Sequence, residues 1–169
     1  RRHTRCSRDW SSDVCSSDLN FCGSLIKKYD SEYIFTSKGR DMEQAEKVAL
    51  IQRYLDAYQA FHLVGMLDCL HEQVHFQYIA NGSVQVSTEG KDAFRQLAEG
   101  SAGLFSARQQ TITDLREEGD VMHADIAFRG TLAQATPDGL QAGTEIQLQG
   151  RSEFRFQDGC ILSVSEIIG

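Results

Sequence analysis

The chain has 169 residues, of which 41% are hydrophobic and 24% are charged, and its formal net charge is -7. This length and composition are those of one ordinary globular domain, and no apolar run approaches the roughly 18 residues that a membrane span needs. An acidic chain without a basic stripe is a poor match for the phosphate backbone. We therefore expect neither a nucleic-acid partner nor a membrane partner.

Residues 1–41 differ from the rest of the chain. They lack sustained helical periodicity, and the segment from Arg8 to Leu19, RDWSSDVCSSDL, resembles a translated sequencing adapter. No apolar region precedes a small-residue cleavage site, so these residues do not match a secretory signal. The sequence predicts a disordered or artefactual leader over residues 1–41 and one domain over residues 42–169, located in the cytoplasm.

Helical periodicity begins directly after Met42. From about Glu43 to Phe61, apolar residues recur at steps of three and four and form a face broader than a coiled-coil seam. Such a face is typical of a helix that lies in the mouth of a curved sheet. A shorter helix is predicted at residues 63–70, and a third at roughly residues 91–104.

Turn signals separate the strands. Asn81-Gly82 is the strongest two-residue hairpin signal, and turn residues at 118–120, 137–139 and 158–159 mark later strand ends. From Glu145 to Phe156, apolar and polar residues alternate, so one face of the strand is expected to be buried and the other to be exposed to solvent. The order of elements predicts an α+β fold with an antiparallel sheet curled over three N-terminal helices.

Residues 43–169 resemble the SnoaL-like domains of the nuclear transport factor two-like superfamily. The matching segments are IQRYLDAYQAFHLVGMLDCLHEQVHF, NGSVQVSTEGKDAFRQL and GRSEFRFQDGCILSV. The resemblance implies a cone-shaped sheet around a deep apolar pocket, a homodimer formed through the outer sheet face, and isomerase, cyclase or hydrolase chemistry without a cofactor. The superfamily also contains non-catalytic binders, so the fold alone does not name the reaction.

Ketosteroid isomerases of this superfamily use a carboxylate base, a tyrosine and a protonated carboxylic acid. The resemblance places their tyrosine on Tyr54, their base on or beside Tyr78, and their second acid on Ser152. Tyrosine and serine do not replace a general base at neutral pH without a large pKa shift. Steroid isomerisation by that mechanism is therefore disfavoured.

Glu166 is the most interesting carboxylate in the sequence. A lone acid within the apolar strand ILSVSEII is a candidate general base or proton donor with a raised pKa. Because apolar residues populate both faces of that strand, Glu166 either points into the pocket, points outward, or pairs with Arg129 or Arg155. Tyr54 is the matching candidate donor to a ligand oxyanion, and the alternative for its ring is packing in the core.

The remaining pocket positions follow from the inward faces of the predicted elements. We expect a small, apolar, carbonyl-bearing ligand, and the alternative is a non-catalytic dimerising module whose pocket is packed with side chains. The cysteines and histidines lack metal-site spacing, so no metal is expected. His71 and His75 are expected at the surface or at an interface, and His123 is expected to be exposed. The predicted ligand-binding residues are Tyr58, Met66, Phe76, Tyr78, Phe94, Phe128, Ser152 and Phe154.

Overall fold

The computed structural model describes residues 41–169, which form three helices and six strands. The predicted leader, apart from its last residue, lies outside the described residues. The elements in chain order are α1 (Gln44–Gln59), α2 (Leu63–Cys69), β1 (Leu70–Ala80), β2 (Ser83–Glu89), α3 (Lys91–Ala102), β3 (Phe105–Glu118), β4 (Val121–Leu132), β5 (Glu145–Gln157) and β6 (Cys160–Ile168).

The helices pack against one another and fill one side of the sheet. A capping box formed by Glu43 and Glu46 starts α1, since each side chain bonds the backbone N–H of the other. The close approach of α2 to α1 requires Gly65, because a Cβ there would lie 2.6 Å from Nδ1 of His62 and 3.1 Å from Cβ of Ala57. Within residues 41–169, no helix is long and apolar enough to cross a membrane.

The sheet has the strand order β2-β1-β6-β5-β4-β3. The predicted α+β architecture, a curved sheet around three helices, is confirmed. One pairing differs from the expected antiparallel sheet: β1 and β6 are parallel, with Phe76 opposite Val164. The other four pairings are antiparallel. Hairpins make consecutive strands antiparallel, but β1 and β6 are separated by most of the domain, and no turn constrains their direction.

The curl of the sheet is visible in a contact between β3 and β6. These strands lie three positions apart in the sheet, which corresponds to about 14 Å in a flat sheet. The Nε2 of Gln110 on β3 nevertheless lies 3.4 Å from Oε1 of Glu166 on β6. The inner face therefore closes over itself and encloses space between the sheet and the helices.

The hydrophobic core occupies one end of that enclosed space. The buried inner residues of β4 and β5 cluster at Met122, Ala124 and Phe154, which pack against the inner faces of α1 and β6. Toward the other end, Phe128 on β4 and Leu148 on β5 are only half-buried. The core thus seals one end of the cone and leaves a cavity at the other.

Candidate functional site

A cavity of about 420 Å³ lies between the helices and the inner face of the sheet. Its volume falls within the range of small-molecule sites, which are mostly apolar with a few polar groups. Apolar and aromatic side chains from α1, α2, α3 and the sheet line it. Nine of the ten predicted site residues are among the lining residues: Tyr54, Tyr58, Met66, Phe76, Tyr78, Phe94, Phe128, Ser152 and Glu166.

Phe154 is the predicted site residue that does not line the cavity. Its side chain is 1% exposed, and its ring meets that of Tyr54 edge to face with centroids 6.3 Å apart. Phe154 therefore belongs to the core beneath the cavity, and its assignment to the ligand site is corrected. The alternation of β5 places Phe154 on the same face as Ser152, but alternation does not tell how deep along the cone a residue lies.

The register of β6 shows that Glu166 points inward. Val164, two residues earlier, is fully buried between Phe76 on β1 and Phe154 on β5, and residues two apart share a face. Neither arginine considered as an outward partner pairs with Glu166. Arg129 lies 3.7 Å from Glu145, and Arg155 lies 3.4 Å from Asp120.

Glu166 is the only carboxylate among the described residues that line the cavity. Burial raises the pKa of its carboxyl above the ordinary value, while the Gln110 hydrogen bond and the Arg108 charge act in the opposite direction. A carboxyl with a raised pKa holds and releases a proton closer to neutral pH than an exposed glutamate does. Within residues 41–169, Glu166 accepts its hydrogen bond from Gln110 rather than from a tyrosine.

Tyr54 and Tyr58 lie one turn apart on α1 and both face the cavity. Burial raises the pKa of Tyr54 well above its usual value, with the charge of Glu166 as the next cause. Burial and the charge of Glu166 also raise the pKa of Tyr58 to about 12, against an opposing effect of Arg108. Both phenols therefore keep their protons at neutral pH and serve as hydrogen-bond donors.

Arg108, on β3, lines the cavity and was not predicted. Its Nε donates a hydrogen bond of 2.8 Å to the carbonyl oxygen of Tyr58. Its Cζ lies 3.8 Å from the ring centroid of Tyr58 and 4.3 Å from that of Phe61, so the guanidinium is held between two aromatic rings. Such cation–π contacts fix the position of a planar guanidinium.

Gln110 is another polar lining residue that was not predicted from the sequence. A signal for both was present, because Arg108, Gln110 and Ile112 alternate with exposed residues along β3. If Ile112 faces the core, a period of two places Arg108 and Gln110 on the same inner face. Polar residues in a strand usually face solvent, but a sheet that encloses a cavity turns some of them inward.

An aromatic pair borders the cavity near the end of β4. The rings of Phe105 and Phe128 meet edge to face with centroids 5.4 Å apart. They close over Gly130, where a Cβ would lie 2.7 Å from Phe105 and 2.8 Å from Phe128. Because real Cβ contacts are essentially never this short, glycine is what allows this aromatic pair to form.

The histidines of residues 41–169 lie outside the cavity. Nε2 of His75 lies 3.2 Å from Oγ of Ser87, and His71 lies 3.5 Å from Asp158. The side chains of His123 and His71 are only 15% and 17% exposed, so both rings are more buried than expected, and Glu153 lies 3.3 Å from His123. No group of three or more potential metal-ligating side chains occurs in the part of the chain that the structure describes.

Comparison with known structures gives the same fold. AclR, a proposed hydroxylase from Streptomyces galilaeus, is 20% identical and superposes with a TM-score of 0.61 over 75% of this chain and 91% of its own. A proposed polyketide cyclase from Xanthomonas campestris is 23% identical, with a TM-score of 0.61 over 75% of this chain and 92% of its own. TerC, crystallised with polyporic acid, is 12% identical, with a TM-score of 0.59 over 73% of this chain and 92% of its own.

At these identities the structural likeness shows the fold alone. No curated protein matches the sequence. The sequence model of the SnoaL-like domain family matches residues 51–164, which are most of residues 41–169. The helices, the curled mixed sheet and this match together show that the chain belongs to the SnoaL-like domain family.

Proposed function

We propose that this protein binds a small, mostly apolar, carbonyl-bearing molecule in its cavity and moves a proton on it without a cofactor. In this proposal Glu166 is the base, and Tyr54 donates a hydrogen bond to the oxyanion that develops. The observation that carries the proposal is an isolated carboxyl group of raised pKa in an apolar cavity that also holds two protonated tyrosines.

The position of Glu166 supports this role. In the sheet it lies directly between Tyr78 on β1 and Ser152 on β5, the two positions at which an isomerase of this superfamily would carry its carboxyl groups. Neighbouring strands are about 4.8 Å apart, so the acid is displaced from either position by a single strand. In this proposal, the single carboxylate of Glu166 replaces the two carboxyl groups that such an isomerase has at the positions of Tyr78 and Ser152.

The proton transfer follows from these groups. Ionised Glu166 accepts a proton from the carbon next to the carbonyl group, and the electron pair of that C–H bond moves toward the carbonyl oxygen. Tyr54 stabilises the resulting enolate by hydrogen bonding. Protonated Glu166 then returns the proton to another carbon of the same conjugated molecule as the carbonyl group re-forms, which gives an isomerisation. In a cyclisation, the enolate carbon instead forms a bond to a second carbonyl carbon, and Glu166 protonates the resulting alkoxide.

Similar structures support the ligand class. TerC was crystallised with polyporic acid, and the similar protein from Xanthomonas campestris is a proposed polyketide cyclase. The cavity of 420 Å³ is large enough for a ligand of a few fused rings. It also argues against the alternative of a non-catalytic dimerising module with a packed pocket.

Binding and proton transfer are tested separately. A panel of aryl ketones is screened by thermal unfolding, and a compound at 100 times its Kd should stabilise the protein by about 2.7 kcal/mol. Exchange of the ketone's α-protons in D₂O is then followed by NMR. Glu166→Gln should slow the exchange by about 10² to 10⁴-fold, and Tyr54→Phe should slow it less.

Glu153→Gln is the matched control, because Glu153 lies next to Ser152 on β5 but faces away from the cavity. It should leave exchange unchanged. Binding without enzyme-dependent exchange would reduce the protein to a binding module. A complete lack of stabilisation across the panel would favour the non-catalytic dimer.

A further inference from the structure

Arg108 brings a positive charge into a cavity that is otherwise apolar apart from a few side chains. We infer that the ligand carries an anionic oxygen, as a carboxylate or an ionised enol, which pairs with the guanidinium of Arg108 near the cavity entrance. This inference rests on the proposed function, because it names the class of molecule that the same cavity takes.

The hydrogen-bonding capacity of Arg108 is mostly unused. A guanidinium has five N–H donors, and here Nε donates to the carbonyl oxygen of Tyr58. Apart from a side-chain hydrogen bond with the Tyr58 phenol, its two terminal amino groups donate to no carbonyl or carboxylate within residues 41–169. They are also not sealed away from the cavity, so an oxygen of a bound molecule has access to them.

The arginines of the outer sheet face are different. Arg116 and Arg155 each lie within 3.4 Å of a carboxylate oxygen. No carboxylate of the described residues lies within 4.0 Å of Arg108. Removing an unpaired cation from water is costly, and an anionic ligand would offset that cost. In this inference, an anionic group of the ligand is the partner of the Arg108 guanidinium.

The guanidinium is also held in place before any ligand arrives. Tyr58 and Phe61 lie on either side of it, with Cζ 3.8 Å and 4.3 Å from their ring centroids. A side chain fixed in this way loses little entropy when it forms two parallel hydrogen bonds to an anion. Phe61 is 37% exposed and the lining residue Leu104 is 41% exposed, which places Arg108 near the cavity entrance.

Gln110 keeps the cation and the carboxylate apart. It follows Arg108 on the same face of β3 and uses its amide to reach Glu166. The cavity thus has a positive charge near its entrance and an acid further in, with Gln110 between them. A matching ligand has an anionic end, an apolar body and a reactive carbon that reaches Glu166.

The test compares two probes of nearly equal shape, 2-naphthoate and the neutral ketone 2-acetonaphthone, by titration calorimetry on the wild-type protein at pH 8. Naphthoate should bind about tenfold more tightly, because a hydrogen-bonded charge pair contributes about one order of magnitude in Kd. Added salt should weaken the binding of naphthoate more than that of the ketone.

Arg108→Gln should abolish the preference for naphthoate and keep the binding of the ketone. Arg129→Gln is the matched control, since Arg129 is an exposed arginine on the outer face of β4, and it should keep the preference. If Arg108→Gln does not fold, the wild-type comparison and its salt dependence decide the matter.

The two proposals fail in different ways. Wild-type protein that binds the ketone as tightly as naphthoate, or more tightly, overturns the role of Arg108 and leaves the proposed function standing. Wild-type protein that binds neither probe overturns both.

Discussion

The two faces of the sheet place the same residue types in opposite environments. On the outer face, Arg116 lies 3.2 Å from both Asp114 and Asp125, and these charged groups are open to solvent. On the inner face, Glu166 has a glutamine as its hydrogen-bond partner and, among the residues that the structure describes, no cation within salt-bridge distance. Charges on one face are neutralised locally, and those on the other are held apart.

The same contrast appears in the titration of two glutamates. The Lys91 ammonium lowers the pKa of exposed Glu72, through a hydrogen bond of 2.9 Å and its charge. Burial raises the pKa of Glu166. Residue type alone therefore does not assign a chemical role, and the surroundings decide whether an acid is a solvated charge or a proton carrier.

The largest expected effect is on stability, and it compares two adjacent residues of β5 that point to opposite faces of the sheet. Phe154→Ala should lower the free energy of unfolding by about 3 to 5 kcal/mol, because it opens a void in a fully packed core. Glu153→Ala, on the outer face, should cost about 1 kcal/mol or less. Urea denaturation of both variants measures the difference, and equal losses would contradict the assignment of faces.

The next effect concerns the space beneath the aromatic pair. Gly130→Ala should cost about 1 to 3 kcal/mol, since its Cβ would displace Phe105 or Phe128. The displaced ring should also narrow the cavity and weaken the binding of a ketone probe. Gly103→Ala is a control, because a Cβ at that exposed position meets nothing within 4 Å. Unchanged stability and binding in Gly130→Ala would contradict the close packing.

A third effect follows from the raised pKa of Glu166. The folded protein keeps the Glu166 proton at pH values where the unfolded chain, with a pKa near 4.5, has released it. The free energy of unfolding should then fall as pH rises above 4.5. The fall is about 1.4 kcal/mol for each pH unit in which the folded protein binds one more proton than the unfolded chain. This loss ends once pH exceeds the pKa of the folded state.

Glu166→Gln removes this titration. The difference in melting temperature between variant and wild type should shift in favour of the variant as pH rises from 4 toward 8. A pH-independent difference would show that the Glu166 carboxyl titrates normally in the folded protein.

The smallest effect has the opposite sign. The pKa of Glu72 is lower in the folded state, so its contribution to stability is present above the ordinary pKa and is lost as pH falls through the folded value. Glu72→Gln should therefore destabilise slightly at neutral pH and lose that effect in acid. Because Glu72 is exposed, added salt should suppress most of the difference, and a salt-independent loss would point to another cause.

Much of the fold could be predicted from local sequence patterns. Helical periodicity and the Asn81-Gly82 turn gave element bounds close to the observed ones, because both depend on a few neighbouring residues. The parallel pairing of β1 with β6 could not be obtained this way, since it depends on contacts about 90 residues apart in the chain. Local patterns contain no information about the direction in which distant strands meet.

The site was predicted less completely for a related reason. Periodicity identifies a face, and most pocket residues were found because they are apolar and inward. It does not give depth, which is why Phe154 was misassigned. Arg108 and Gln110 were missed because polar residues in strands usually face solvent, whereas a curled sheet turns part of its inner face toward a cavity.

The place of β6 in the sheet affects how the molecule assembles. It lies between β1 and β5, so within the described sheet the hairpin of β1 and β2 is hydrogen-bonded to the β3–β5 meander only through this strand. Nascent or truncated chains lacking Cys160–Ile168 would hold two unconnected sheet fragments, each with an open hydrogen-bonding edge. The proposed proton-transfer residue belongs to that joining strand, so a chain should acquire ligand affinity only in the final stage of its folding.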